Sequence, residues 1–248
     1  VCLVSMDQVT IIVDPNPTPA FAGNDETICA SSDSLMGSPI VIGTGVWTLI
    51  SGTGTITSPS TSISGVNGLS VGANIFQWTT SNGVCPNSID QVAIYVDANP
   101  SIAAAGFDQT ICSSTSAFTA TTPVIGTGVW TLISGSGIAS TPNSPTSGIT
   151  GLTVGANNFL WTVSNGVCPS IADQIIINVD PNPTPAYAGP DQAICNVNSS
   201  LTAGTITIGT GNWTVVFGGG IVTSPTTTTT PVFSMATGPN IFAWSVSN

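Results

Sequence analysis

Gly126-Thr127-Gly128-Val129-Trp130-Thr131-Leu132-Ile133 is the stretch that decides the fold, because the chain writes it three times. Eighty-three residues earlier stands Gly43-Thr44-Gly45-Val46-Trp47-Thr48-Leu49-Ile50, and 83 later Gly209-Thr210-Gly211-Asn212-Trp213-Thr214-Val215-Val216. The flanks keep the same step. Cys29, Cys112 and Cys195 lie 83 apart, as do Trp78, Trp161 and Trp244, and Cys2 is the equivalent of Cys85 and Cys168. A fixed period without insertions means one structural unit repeated along the chain. The 248 residues start and stop inside a unit, as expected of a stretch of a longer array.

Working outward from Trp130, Asn212 replaces Val129 in the third copy while the Trp stays. Period-two alternation therefore turns Trp130 and Leu132 inward and Val129 outward. Upstream, Phe118 and Ala120 mark an early strand. Downstream, residues 134–147 are rich in Gly, Ser, Pro and Thr and read as a loop or short edge strands. Phe159, Trp161 and Val163 then share one face of a strand, with the mixed set Asn158, Leu160 and Thr162 on the exposed face. Asn165-Gly166 signals a two-residue type I′ hairpin, which needs positive φ twice. Ile175, Ile177 and Val179 form the inner row of the returning strand. No stretch carries a 3.6-residue period. About seven short strands per unit give a compact β-sandwich, all-β throughout. The six tryptophans, Trp47, Trp78, Trp130, Trp161, Trp213 and Trp244, fall on inner rows and are assigned to the cores.

The boundaries follow from the prolines. Residues 1–14 are the final strand of a preceding, truncated repeat; 15–97, 98–180 and 181–248 are repeats 1, 2 and 3, the last stopping before its final strand. Asp14-Pro15-Asn16-Pro17-Thr18-Pro19 and its equivalents join them. Closely spaced prolines favour extended geometry, so semi-rigid spacers and an extended rod are expected.

Composition removes most chemistry. The chain has no Lys, Arg or His and eleven acids, a formal charge of -11. Without His there is no imidazole base and no usual zinc ligand. Without Lys there is no amine nucleophile. Without cations there is no footprint for nucleic acid. No apolar run approaches the ~18 residues that span a bilayer, so membrane insertion is not expected. Yet the chain is 41% hydrophobic, enough to bury a core.

Six cysteines, two per period and none in a CxxC pair, point to disulfides and an oxidising compartment. One scheme pairs within units, Cys29 with Cys85 and Cys112 with Cys168, leaving Cys2 and Cys195 to partners outside the fragment. The other crosses the linkers, as Cys2–Cys29, Cys85–Cys112 and Cys168–Cys195, and free buried thiols are a third possibility. The first is preferred, because the second makes a strand and a proline-rich spacer double back until the Cα atoms are within about 7 Å.

Nine of the eleven acids are periodic: Asp7/Asp90/Asp173, Asp14/Asp97/Asp180 and Asp25/Asp108/Asp191. They suit either turn formation, through acceptance of backbone N–H bonds, or calcium at the junctions, with Asp97, Asn99 and Asp108 as oxygen donors. The turn reading, with no cofactor, is preferred. Asp25-Glu26 is the one adjacent acidic pair and occurs in a single repeat, which argues against paired-carboxylate glycosidase chemistry. No enzyme activity is expected. Asn198 and Asn212 head N-x-S/T sequons, and Asp33-Ser34-Leu35 has the form of a bacterial O-glycosylation triplet.

The unit resembles the repeats of giant cell-surface proteins of Bacteroidota, including gliding-motility adhesins. The residues that carry the resemblance are Ala105-Gly106-Phe107-Asp108-Gln109-Thr110-Ile111-Cys112, Gly126-Thr127-Gly128-Val129-Trp130, Gly151-Leu152-Thr153-Val154-Gly155-Ala156-Asn157 and Trp161-Thr162-Val163-Ser164-Asn165-Gly166-Val167-Cys168-Pro169. The resemblance implies immunoglobulin-like or PKD-like sandwiches, export by the type IX system, and a place in adhesion or motility. The expected function is an extracellular stalk or adhesin segment. Its expected partners are neighbouring repeats, surface polysaccharide bound through inter-strand loops, or other copies of the chain in a filament.

Overall fold

A computed structural model describes residues 2–248. The described residues form strands and connections, with no helix among them. By internal contacts the chain divides into two compact units, one of residues 1–104, 121–129 and 161–173, the other of residues 105–120, 130–160 and 174–248.

The first repeat has seven strands: β1 (Glu26–Ile28), β2 (Ser32–Met36), β3 (Thr44–Ser51), β4 (Thr55–Ile56), β5 (Ile63–Asn67), β6 (Gly72–Ser81) and β7 (Ser88–Val96). They make a four-stranded sheet, β1-β7-β6-β3, and a three-stranded sheet, β2-β5-β4. The first strand lies parallel to the last, Glu26 opposite Ile94 and Ile28 opposite Val96. All other ladders are antiparallel. Two sheets of seven strands, with the third, sixth and seventh together and the second, fourth and fifth together, is the immunoglobulin-like sandwich, its first strand shifted to the β7 edge.

The second repeat writes the same order in β8 (Gln109–Ile111), β9 (Thr115–Ala117), β10 (Thr127–Ser134), β11 (Ile138–Ala139), β12 (Gly148–Thr150), β13 (Gly155–Ser164) and β14 (Ile171–Val179), as sheets β10-β13-β14-β8 and β11-β12-β9. Again the outer pair is parallel, with Val179 opposite Ile111. In the third, β15 (Ser199–Thr202), β18 (Thr229–Phe233) and β17 (Ile221–Val222) form one sheet, and β16 (Thr210–Phe217) pairs with β19 (Ile241–Ser247). No equivalent of β1 forms there among the described residues. Residues 9–13 are one period before the end of β7. They carry no strand and are exposed, so the final strand expected over residues 1–14 does not form.

Alternation along β6 builds the core. Asn74, Phe76, Trp78 and Thr80 are buried on one face, and Leu35, Trp47, Val66, Leu69, Val92, Ile94 and Val96 close around them. Trp47 and Trp78 are directly opposite in the ladder, with ring centroids 5.0 Å apart. Trp213 and Trp244 repeat the pair at 5.1 Å. In the second repeat Phe118 stacks on Trp130 at 3.6 Å and meets Phe159 edge-on at 5.0 Å.

The glycine two residues before each strand tryptophan is now explained. A Cβ on Gly45 would stand 2.3 Å from the Trp78 ring; the same clash is 2.1 Å at Gly128 against Trp161 and 2.0 Å at Gly211 against Trp244. The motif Gly-x-Trp therefore leaves space for the tryptophan of the neighbouring strand.

Two readings from the sequence need correction. Leu132 shares the inner parity with Trp130 but is 45% exposed. β10 is an edge strand, so beyond its tryptophan one flank has no neighbour to cover it. Asn165-Gly166 does not form a two-residue type I′ hairpin. β13 ends at Ser164 and β14 starts at Ile171, and only Gly166 of the pair has positive φ. Asn165 is held otherwise, as described below. Residues 134–147 contain the two-residue strand β11.

Gly128→Ala is expected to lower stability by about 1–3 kcal/mol, because the buried Trp161 ring has nowhere to move. Urea denaturation followed by tryptophan fluorescence measures it, and an unchanged midpoint would contradict the clearance argument.

Candidate functional site

The site of interest is the junction where one repeat hands over to the next. β1 ends at Ile28, whose carbonyl accepts the Asp97 N–H at 2.9 Å. This brings the residue after β1, Cys29, to the C-terminal end of β7, where the linker starts. From the second repeat, the connection between β13 and β14 reaches the same place. Val167 N–H donates to Asp97 Oδ2 at 2.9 Å, and Asn165 Nδ2 donates to Ala98 O at 2.8 Å. Cys168 Sγ then stands 3.5 Å from Asp97 O, and Cys29 Sγ 3.3 Å from Asn99 Oδ1. The two cysteines are bonded to each other, with Cα atoms 5.0 Å apart and 139 residues between them in sequence.

This overturns both pairing schemes. Cys85 and Cys112 are free thiols, as are Cys2 and Cys195. The reason is the parallel pairing. Cys29 follows Ile28, which sits opposite Val96 at the end of β7, whereas Cys85 precedes the start of β7 at Ser88. Nine residues of strand, about 30 Å at ~3.3 Å each, separate the two ends, against the roughly 7 Å a disulfide tolerates. Cys112 and Cys168 are kept apart by β14 in the same way. The pairing that forms joins the end of β1 in one repeat to the β13–β14 connection of the following one.

The linkers are pinned, each to the repeat it precedes. Asn82 Nδ2 donates to Pro15 O, as Asn165 does to Ala98 O and Asn248 does to Pro181 O, all at 2.8 Å. At the other end of each linker, Thr18 Oγ1 accepts from Val41 and Ile42 N–H, Ser101 Oγ from Val124 and Ile125 N–H, and Thr184 Oγ1 from Thr207 and Ile208 N–H. The prolines stiffen the spacer and these bonds fix its course.

Several of the periodic acids accept backbone N–H bonds from residues far away in sequence. Asp25 Oδ1 takes Ala93 N–H and Asp108 Oδ1 takes Ile176 N–H, each at 2.8 Å. Asp90 Oδ2 takes Ala22 N–H at 2.7 Å. Among the described residues no three Asp, Glu or Cys side chains gather where a metal ion could be held. All six tryptophans are buried.

The acidic pair that matters in the first repeat is Glu26 with Asp33, across β1 and β2. In the next two repeats the same positions carry Gln109 with Ser116 and Gln192 with Ser199, whose hydroxyls donate to the amide oxygen at 2.5 and 2.6 Å. The position calls for one donor and one acceptor. In the first repeat Asp33 Oδ2 is buried without a hydrogen-bond partner, and Glu26 stands where the other repeats place the Gln. Burial, then the hydrogen bond to Asp33, then the charge on Asp33, all push the Glu26 carboxyl above its ordinary value. Two carboxylates at the positions of a Gln–Ser pair are a structural substitution.

Sequence reasoning missed a second polar element. Asn74, Asn157 and Asn240, each third in Gly-Ala-Asn or Gly-Pro-Asn, tie a loop to a strand. Asn157 Nδ2 donates to Thr153 O, Gly155 O and Ile177 O, and its Oδ1 accepts Ser136 N–H. The signal was available, as an asparagine recurring at inward parity.

No family model matches the chain, and neither does any curated protein. Solved structures that it resembles include a three-immunoglobulin-domain segment of titin, I67–I69 in a Glu-to-Ala variant (11% identity, TM-score 0.49, 90% of each chain covered). Immunoglobulin domains 1–5 of Sidekick-1 align at 10% identity and TM-score 0.46, over 95% of this chain and 59% of that one. The insect immune protein hemolin aligns at 14% identity and TM-score 0.41, over 66% of this chain, which spans about half of hemolin's length. The class defined by the strand order is an all-β tandem of immunoglobulin-like sandwiches.

Because the folded chain favours the protonated Glu26, that contribution is complete below the ordinary glutamate value and is lost as pH rises through the raised one. Glu26→Gln should therefore raise the melting temperature at pH 7 while leaving it unchanged near pH 4. Equal shifts at both pH values would contradict the raised Glu26 value.

Proposed function

We propose that this chain is a structural segment of an extracellular surface protein, non-enzymatic, whose task is to transmit tension along an array of repeats. One observation carries the reading: the Cys29–Cys168 bond ties consecutive repeats together rather than closing one repeat on itself. A tie between repeats does nothing for a ligand pocket, but it limits how far the array can be drawn out. The outer strands support the same reading. β1 and β7 are parallel neighbours at the two chain ends of a repeat. Pulling those ends apart loads their hydrogen bonds in shear, all together rather than one at a time. A structural disulfide also belongs in an oxidising, extracytoplasmic compartment.

The resemblance noted in the sequence extends the reading to a stalk or shaft that serves adhesion or gliding motility after type IX export, with other repeats or other copies of the chain as partners. Polysaccharide binding through the loops is less favoured. Aromatic rings are the usual sugar platforms, and the tryptophans here lie inside the sandwiches.

Single-molecule stretching between the chain ends tests the function. Oxidised protein should hide the 139 residues between the bonded cysteines, so reductant should lengthen the fully extended chain by about 480 Å, at ~3.3–3.6 Å per residue. Unfolding at forces no higher than those of an unstructured chain, in both redox states, would overturn the tension-bearing role.

A further inference from the structure

We propose that Glu26 and Asp33 form a pH-dependent latch on the first repeat, closed in acid and loosened at neutral pH, which governs access to the Cys29–Cys168 bond just beyond β1.

The other two repeats show the closed form. Ser116 Oγ donates to Gln109 Oε1, and Gln109 Nε2 donates to Ala117 O at 2.9 Å. Ser199 Oγ donates to Gln192 Oε1 at 2.6 Å, and Gln192 Nε2 donates to Ser200 O at 2.9 Å. In the second repeat the pair joins β8 to β9, strands of opposite sheets, so it clasps the edge of the sandwich. The clasp needs a donor on each side chain. In the first repeat Glu26 of β1 and Asp33 of β2 hold these positions, and ionised carboxylates only accept. Asp33 Oδ1 takes Ser34 N–H at 2.7 Å, while Oδ2 is buried without a partner. A cleft of about 310 Å³ lies along this edge, lined by the two acids with Phe21, Asn24, Leu35 and Met36.

Nothing in the chain offsets the two charges, since it has no Lys, Arg or His. The other charged groups around β1 are acids as well. Asp25 precedes it, Asp90 lies on β7 and Asp97 follows β7, and they accept the N–H groups of Ala93, Ala22 and Val167. Tyr95 of β7, opposite Thr27, is neutral below about pH 10. A single proton relieves the pair, because it removes one charge and gives Glu26 a donor for Asp33. The environment of Glu26 favours that proton, holding its carboxyl above the ordinary value through burial and then through Asp33. The clasp is therefore complete below the ordinary glutamate value and is lost as pH rises through the raised one.

The strand that the latch holds is short. β1 has three residues and pairs with β7 alone. Its last residue, Ile28, accepts the Asp97 N–H, and Cys29 follows, bonded to Cys168. Cys168 is buried, so attack on its sulfur requires this end of β1 to move. Repulsion between Glu26 and Asp33 pushes β1 away from the opposite sheet at its first residue. The tie between repeats is thus guarded in acid and open to reduction nearer neutrality.

The test is the rate at which a water-soluble phosphine reduces Cys29–Cys168, read by alkylation and peptide mass. The unaltered chain is compared with Glu26→Gln/Asp33→Ser, which installs the pair of the other repeats. The ratio of the two rates cancels the reagent's own pH dependence. It should be near one at about pH 4, and the unaltered chain should be at least about threefold faster at about pH 7. A ratio that is the same at both pH values overturns the latch. Glu26→Gln alone also keeps a donor at every pH, so it should match the double variant and replaces it if that protein fails to fold. If millimolar calcium slows the unaltered chain to the variant's rate at neutral pH, a cation rather than a proton closes the edge and the proposal fails. No force is applied, so this outcome and that of the stretching experiment are told apart.

Discussion

Close approach of a tryptophan ring to the backbone of the neighbouring strand is the constraint around which each repeat is built. Trp78 lies over Gly45, Trp161 over Gly128 and Trp244 over Gly211, at distances no side chain could share. That contact fixes the register of β3 on β6 and of β16 on β19, with tryptophan facing tryptophan in both ladders. Register in turn decides which residues face inward, because a slip of one residue would move every side chain to the other face. Asn74 and Asn157, buried and hydrogen-bonded, add a polar check on the same register, since a displaced asparagine would leave its partners unsatisfied.

Once the register is set, the parallel placement of the first strand against the last determines the chemistry of the ends. It carries the residue after β1 to the place where the chain leaves the repeat. Cysteine, aspartate and asparagine meet there, Cys29 with Asp97 and Asn99, and the following repeat answers with Asn165, Val167 and Cys168. The linker is thus a bonded part of the following repeat, and the disulfide closes over it. The expected turn role is not what these acids do: Asp25, Asp90, Asp97 and Asp108 accept backbone N–H bonds from residues 68 to 70 positions away and tie distant segments together.

Much of this was legible from residues alone. The inward rows Phe159, Trp161, Val163 and Ile175, Ile177, Val179 are buried, because strand alternation is local and hydrophobic parity records it. Leu132 shows the limit. Parity gave its direction, but exposure depends on whether anything lies opposite, and β10 is an edge. Asn165 shows another. Its pairing with Gly166 signalled a tight turn, yet its amide is engaged by Ala98, 67 residues away in sequence, and a distant partner outranks a local propensity.

The sequence by itself determined the period, the all-β class, the tryptophan cores and the absence of cationic and imidazole chemistry, because each is written in residue identity at fixed spacing. Only the tertiary structure decided which cysteines meet. Two positions 56 residues apart in one repeat lie at opposite ends of a strand, while two positions 139 apart share a junction. Disulfide choice depends on distance in space, and that distance was set by a parallel strand pairing of three residues that no spacing in the chain announces.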